Sequence, residues 1–195
     1  MRLKELNCKN CTDTLEVEET LKKIKEENFE FTKDITEEDT YFTDKDFNFI
    51  KDRVCLRTRK VNEDFLEITY KPKTDKTTEK YGKREVNLKI DPDDYNDAKY
   101  IIQELGYIKY VSFKKHRKIY SKTINRFKYS VMIDSIENIG DFIELEILAD
   151  NEAEKELLQE ELYKFIEKME CSNLRKKTKP YRDIVKEYLE KLEDN

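Results

Sequence analysis

Polar and apolar residues alternate with a period of two along most of this chain. Arg2–Asn10, Val54–Lys60, Glu67–Lys71, Lys83–Ile90 and Phe142–Leu148 alternate cleanly, and Asp39–Thr43, Tyr110–Tyr120 and Phe127–Ile136 with more interruptions. That period marks strands with two unlike faces, so eight strands are expected. Four helical segments lie between them. Thr14–Asn28 follows the capping residues Thr12 and Asp13 and carries Leu15, Leu21 and Ile24 as its apolar stripe. Pro92 opens a second helix that ends at Gly106, the usual placement of these two residues at helix start and finish. Glu152–Met169 is long and amphipathic, and Pro180 opens a last helix reaching Leu192. With no Gly/Ser linker, low-complexity tract or internal repeat, residues 1–195 read as one α+β domain.

The polar face of these strands is unusual. Val86, Leu88 and Ile90 share one face of their strand while the other carries charge, and Leu145 and Ile147 lie opposite Glu144 and Glu146. Arg57 pairs with Arg59, Lys115 with Arg117, and Glu67 with Thr69 and Lys71, each set on one side of its strand. An antiparallel sheet commonly turns its polar face to water. Here the same-face residues are charged, of both signs, on nearly every strand. If the sheet closed into a barrel with those faces inward, it would enclose a charged tunnel, and helices would cover its apolar outside.

Composition fits a chain with little conventional core. Of 195 residues, 43% are charged and 37% apolar. Leu, Ile, Val and Phe still make up about a quarter, above the roughly 20% below which chains stay unfolded. No apolar run approaches the roughly 20 residues of a membrane span, and Met1–Glu5 does not begin a signal peptide, so a cytoplasmic protein without membrane attachment is expected. A net charge of −5 offers no pull toward nucleic acid. Cys8, Cys11, Cys55 and Cys171 are too irregular for a disulfide framework, and Cys8 and Cys11 lack the second pair of a zinc site. Cys55 reads as a buried thiol. His116, the only histidine, falls on the strand face opposite Lys115 and Arg117, which suits the exterior better than a general base. The run Arg175–Lys179 reads as solvated charge.

Several short motifs recur in a fixed order. Glu5-Leu6-Asn7-Cys8-Lys9 is followed by Glu38–Phe42, Asp46-Phe47 and Val54–Arg59. Then come Ile68–Pro72, Lys83-Arg84-Glu85, Leu105-Gly106-Tyr107 and Lys115–Arg117. Ile133-Asp134, Ile139–Glu146 and Lys179-Pro180-Tyr181 complete the series. In this order and spacing, from about Glu5 to Val185, the chain resembles the CYTH superfamily, the triphosphate tunnel metalloenzymes, and within it the class IV adenylyl cyclase branch. The opening strand is a variant of the family's ExExK motif, with Asn7 where similar proteins carry the second Glu. Glu16-Val17-Glu18 also reads as ExE, but Thr20 stands at the Lys position and Glu16 belongs to the first helix. Asn87 is a second departure, from an Arg-x-Glu-x-Glu pattern.

The resemblance implies an eight-stranded antiparallel β-barrel that forms a charged tunnel flanked by helices. It implies a metal-dependent phosphoryl-transfer enzyme acting on a triphosphate, foremost an adenylyl cyclase that converts ATP to cyclic AMP and pyrophosphate. Two other readings stay open: a hydrolase of inorganic, thiamine or nucleoside triphosphate, and, given Asn7, a non-catalytic binder of polyphosphate or nucleotide. Carried over, the triphosphate would be held by Lys9, Arg57, Arg59, Lys71, Lys83, Lys115, Arg117 and Lys179. Arginine suits bidentate phosphate contacts and lysine serves as a movable point charge. Glu5, Asn7, Asp134, Glu144 and Glu146 would hold Mg²⁺ or Mn²⁺, with Asn7 contributing an uncharged oxygen. The catalytic group would be Glu5, Lys9, Asp134 and Glu144. The partner is thus a small molecule such as ATP, inorganic triphosphate or thiamine triphosphate, with no nucleic acid or membrane. A homodimer stays open, since relatives in the cyclase branch are often dimeric.

Overall fold

The computed structural model describes residues 4–12, 14–62, 65–73, 85–149, 155–169, 175–176 and 179–194, with side chains from residue 17 onward except at 155–156 and 175–176. In chain order the first elements are β1 (Lys4–Thr12), α1 (Thr14–Glu26), β2 (Glu30–Thr43), α2 (Asn48–Lys51), β3 (Cys55–Val61) and β4 (Phe65–Lys71). There follow β5 (Val86–Ile90), a 3-10 turn (Pro92–Asp94), α3 (Tyr95–Glu104), β6 (Ile108–Ile124) and β7 (Phe127–Ile136). The last are β8 (Gly140–Ala149), α4 (Lys155–Lys168), β9 (Arg175–Lys176) and α5 (Tyr181–Glu193). The α+β class and each of the eight expected strands are present.

Two compact units make up the chain, one of Met1–Asp34 with His116–Thr178, the other of Ile35–Lys115 with Lys179–Asn195. In the first, strands run in the order β6-β7-β8-β1-β9, each antiparallel to its neighbour. Alternation sorts the residues of β8: Ile143, Leu145 and Ile147 are fully buried, and Val131 of β7 lies opposite Leu145 in register. Helix α4 packs against β8 and buries Leu158, Leu162 and Phe165. Phe165 stacks on Phe29 at 5.8 Å and meets Tyr129 edge-on at 5.2 Å. Each fully buried Leu or Ile stabilises this layer by ~1.5–3 kcal/mol, so the apolar face holds the sheet and leaves the intervening Glu144 and Glu146 for other work.

In the second unit the order is β5-β4-β3-β2-β6, again antiparallel from β5 to β2. Its core includes Phe42, Val54, Leu66, Ile102, Val111, Tyr181 and Val185. Pro92 starts the helical segment as expected, with the Asp91 carboxylate accepting from the Asp93 amide at 3.1 Å. Gly106, at φ +90°, ends it in a conformation that a side chain would strain. Helix α5 inserts Arg182, 3% exposed, whose guanidinium donates to the carbonyl of Val54. That buried arginine has no apolar signature and is invisible to a periodicity argument.

Two expectations need correction. The strands were expected to close into an eight-stranded barrel, but among the described residues neither unit's run of paired strands closes on itself, and β9 makes nine. Alternation specifies which side of a strand is apolar and carries no information on which strand joins which edge. A two-residue strand inside the basic run Arg175–Lys179 is also too short to show a period. β2 runs from Glu30, nine residues before the expected start. Its first residues are exposed on both sides, so pairing and not burial makes them extended. Among the described residues no helix is long and apolar enough to cross a membrane.

Candidate active site

In the second unit the charges expected to bind phosphate form an alternating ladder across neighbouring strands. Register sets Asp39 of β2 and Glu67 of β4 on either side of Arg59 of β3, and Tyr41 and Thr69 on either side of Arg57. The Arg59 guanidinium grips Asp39 with two hydrogen bonds of 2.6 and 2.7 Å and donates to Glu37 Oε1 at 2.8 Å. The second carboxylate oxygen of Glu37 lies 2.9 Å from Lys115 Nζ, which also sits 5.0 Å over the ring of Tyr181. Arg57 is held more loosely. It donates to Thr69 at 3.3 Å and faces Asp39 and Glu67 at 3.7 Å each, while its buried Nε has no hydrogen-bond partner among the described residues. Lys71 pairs with Glu85 at 2.6 Å.

These contacts set the charge states. Burial works against the charge on Asp39, but the guanidiniums of Arg59 and Arg57 outweigh it and hold the carboxyl far below the usual carboxylate range. Burial likewise disfavours charge on Arg57, and the Asp39 carboxylate more than restores it. For Glu85, burial opposes ionisation and the Lys71 ammonium overcomes it. Four cations (Arg57, Arg59, Lys71, Lys115) thus meet four carboxylates (Glu37, Asp39, Glu67, Glu85), so the ladder is neutral in sum.

Asp39 also supplies an acid-stability test. Its folded-state pKa lies below the unfolded value, so its contribution is fully present above about pH 4 and is lost as the pH falls through the folded value. In urea unfolding, the stability difference between wild type and Asp39→Asn is expected to be constant from neutral pH down to about pH 4 and to shrink only below it.

In the first unit a second cluster gathers on β6, β7 and β8. Register places Arg117 opposite Asp134. Arg117 Nε and Nη2 bind the two oxygens of Asp134 at 2.5 and 2.6 Å, and Nη2 also reaches Glu144 Oε2 at 2.7 Å. Asp134 is 0% exposed and Glu144 4%. Glu146 follows two residues on, half-buried. The β1 backbone brings Lys9 opposite Glu144 and Asn7 opposite Glu146, with Glu5 opposite Leu148. The side chains of Glu5, Asn7 and Lys9 lie outside the described residues, as do Lys83, Cys8, Cys11 and Cys171. Two buried carboxylates converging on one guanidinium nitrogen form an all-oxygen donor pair of the kind a small hard cation takes alongside phosphate oxygens. In chemistry the pair suits a divalent cation, but here Arg117 takes both oxygens of Asp134 and one of Glu144, and among the described residues no three carboxylate, His or Cys side chains converge on one point.

Other expected positions turn out peripheral. Lys179 is exposed and pairs with Glu187 on α5. His116 is exposed and pairs with Asp34. Cys55, expected to be buried, is half-buried. Glu37 was not singled out from the sequence, yet it bridges two of the expected phosphate ligands. The signal was there: Glu37, Asp39 and Tyr41 alternate on one strand, and extending β2 by two residues would have put Glu37 in line.

Comparison with known proteins places this geometry. The model of the CYTH domain matches residues 6–181. The chain belongs to the CYTH family. Over 161 residues, 82% of this chain and 85% of the relative, it is 32% identical to a Methanocaldococcus jannaschii protein named "Putative adenylate cyclase MJ0240". Among solved structures, PH1012 of Pyrococcus horikoshii OT3 superposes with a TM-score of 0.72 at 24% identity, covering 92% of this chain and 98% of that one. A Hippeastrum protein described as "Putative adenylyl cyclase HpAC1", with a dominant triphosphatase activity, is similar at a TM-score of 0.66 and 12% identity, covering 96% of both chains.

Proposed function

We propose that this CYTH protein is a metal-dependent phosphoryl-transfer enzyme acting on a triphosphate, with ATP cyclisation to cyclic AMP and pyrophosphate as the leading activity. One observation carries the reading: Arg57 is a buried guanidinium with an unpartnered Nε and only long contacts to its carboxylates, set in a ladder of further cations. Burying a charged group so incompletely satisfied is costly unless a ligand completes it, and the fork of an arginine matches phosphate oxygens. Lys71, Lys115 and, in the first unit, Lys9 and Arg117 are the other cations assigned to phosphate in this reading. Lys83 and Lys179 share the assignment from their motifs alone.

Asp134, Glu144 and Glu146, with Glu5 and Asn7 of β1, are assigned to a divalent cation, Mg²⁺ or Mn²⁺. Such an ion supplies charge neutralisation on the phosphoryl oxygens when bound. In cyclisation the ribose 3′ hydroxyl gives up its proton to a carboxylate or to solvent as its oxygen bonds to the α-phosphorus, the bond from that phosphorus to the bridging oxygen breaks, and pyrophosphate departs. In hydrolysis water bonds to the terminal phosphorus, the bond from that phosphorus to the bridging oxygen breaks, the diphosphate end departs, and the phosphoryl group is released as orthophosphate. The cation ladder serves either, since both rest on positioning and on stabilising charge as the phosphoryl group transfers. The cyclase reading is favoured by the relative in Methanocaldococcus jannaschii, and the triphosphatase reading by the described activity of HpAC1.

The test is product analysis. The pure protein is incubated with ATP, inorganic triphosphate and thiamine triphosphate, each with Mg²⁺ and with Mn²⁺. Cyclic AMP with stoichiometric pyrophosphate is the expected result. Orthophosphate without cyclic AMP would replace the cyclase reading by the triphosphatase one, and binding without turnover would reduce the protein to a polyphosphate binder.

A further inference from the structure

Glu37 lies in the middle of the ladder and is 4% exposed. One of its oxygens accepts from Arg59 on β3 at 2.8 Å, and the other contacts the ammonium of Lys115 on β6 at 2.9 Å. Lys115 is itself 3% exposed. A lysine buried this deeply keeps its proton only where opposite charge or an aromatic face compensates for lost water. Among the groups that face it are Glu37 on β2, the more distant Asp39 on the same strand, and the Tyr181 ring on α5. Asp39 is already committed to Arg59 through both of its oxygens.

We infer that Glu37 is a positioning residue for triphosphate binding, which holds the Lys115 ammonium charged and fixed by tying it to the Arg59 guanidinium. The inference rests on the triphosphate reading above and adds to it a residue that contributes no phosphate contact of its own. Arg59 then belongs with Glu37 in the support of the site, and Arg57, Lys71 and Lys115 are the cations of the ladder that meet the ligand. Two cations from different strands share one carboxylate, so moving the carboxylate moves Lys115 relative to the strand that carries Arg57.

The experiment separates charge from position and both from the functional reading. The Lys115 ammonium is titrated by NMR in wild type, Glu37→Gln and Glu37→Asp, with Lys115→Arg used to assign the signal. The affinity of the same three proteins for inorganic triphosphate is measured by calorimetry across pH. In Glu37→Gln the Lys115 midpoint is expected to fall by about 1–3 pH units. Triphosphate affinity is then expected to fall by about tenfold per pH unit above that new midpoint, a dependence absent from wild type over the same range. Glu37→Asp keeps the charge one methylene further back. It is expected to hold the Lys115 midpoint near the wild-type value and still bind triphosphate more weakly, and this variant carries the test if Glu37→Gln does not fold. An unchanged Lys115 midpoint in Glu37→Gln, or undiminished affinity in Glu37→Asp, overturns the inference. Absence of triphosphate binding by the wild type, with the midpoint shift intact, overturns instead the functional reading on which the inference stands.

Discussion

Replacing Arg117 by methionine is expected to destabilise the protein by ~3–5 kcal/mol, the usual consequence of removing one member of a buried ion pair. The guanidinium binds both oxygens of Asp134 and one of Glu144, and those two carboxylates are 0% and 4% exposed. Methionine restores much of the volume and none of the charge. Urea unfolding at neutral pH measures the loss. Adding Asp134→Asn to Arg117→Met is expected to recover a substantial part of it, because the second change removes a charge that the first had stranded. A double-mutant cycle showing independent effects would mean that the pair is not coupled in the folded protein. The same loss would be smaller in acid, where protonation neutralises the carboxylates.

The second large effect distinguishes two arginines that the Arg57-Thr58-Arg59 motif makes look alike. Arg59→Met is expected to cost ~3–5 kcal/mol of stability, since Arg59 neutralises the buried Asp39 and Glu37 through three hydrogen bonds of 2.6–2.8 Å. Arg57→Met is expected to cost less stability than Arg59→Met, because Arg57 bonds Thr69 at 3.3 Å and Tyr41 and meets its two carboxylates only at 3.7 Å. Its cost appears in binding: inorganic triphosphate affinity is expected to drop about 10- to 100-fold, or ~1.5–3 kcal/mol for charged hydrogen bonds lost. Thermal unfolding and calorimetry on both variants check the contrast. If Arg57→Met unfolds the protein and Arg59→Met only weakens binding, the assignment of support and ligand is reversed.

Much of the fold could be read without coordinates. Alternation marked all eight long strands, and Pro92, Gly106 and Pro180 bounded two of the helices where the structure has them. Leu145 and Ile147 were separated correctly from Glu144 and Glu146, because the period of two is a local property of extended backbone. Strand ends were less legible. The first residues of β2 have no buried face, so nothing in their own sequence distinguishes strand from loop. β9 and the insertion of Arg182 beneath Val54 are products of neighbours distant in the chain.

The site divides in the same way. Residue types and spacing, through the family's motifs, were enough to single out Arg57, Arg59, Lys71, Lys115, Arg117, Asp134, Glu144 and Glu146 as charged candidates. Sequence by itself determined which residues are charged and which side of each strand they take. Only the tertiary structure decided who neutralises whom: that Arg59 is bound to Asp39 and Glu37 while Arg57 is held loosely, and that Arg117 grips Asp134 and Glu144. The reason is physical. The face of a side chain follows from its own backbone, whereas the partner of a buried charge depends on strand register and on hydrogen-bond distances of a few ångströms, which are set by residues far away in the chain.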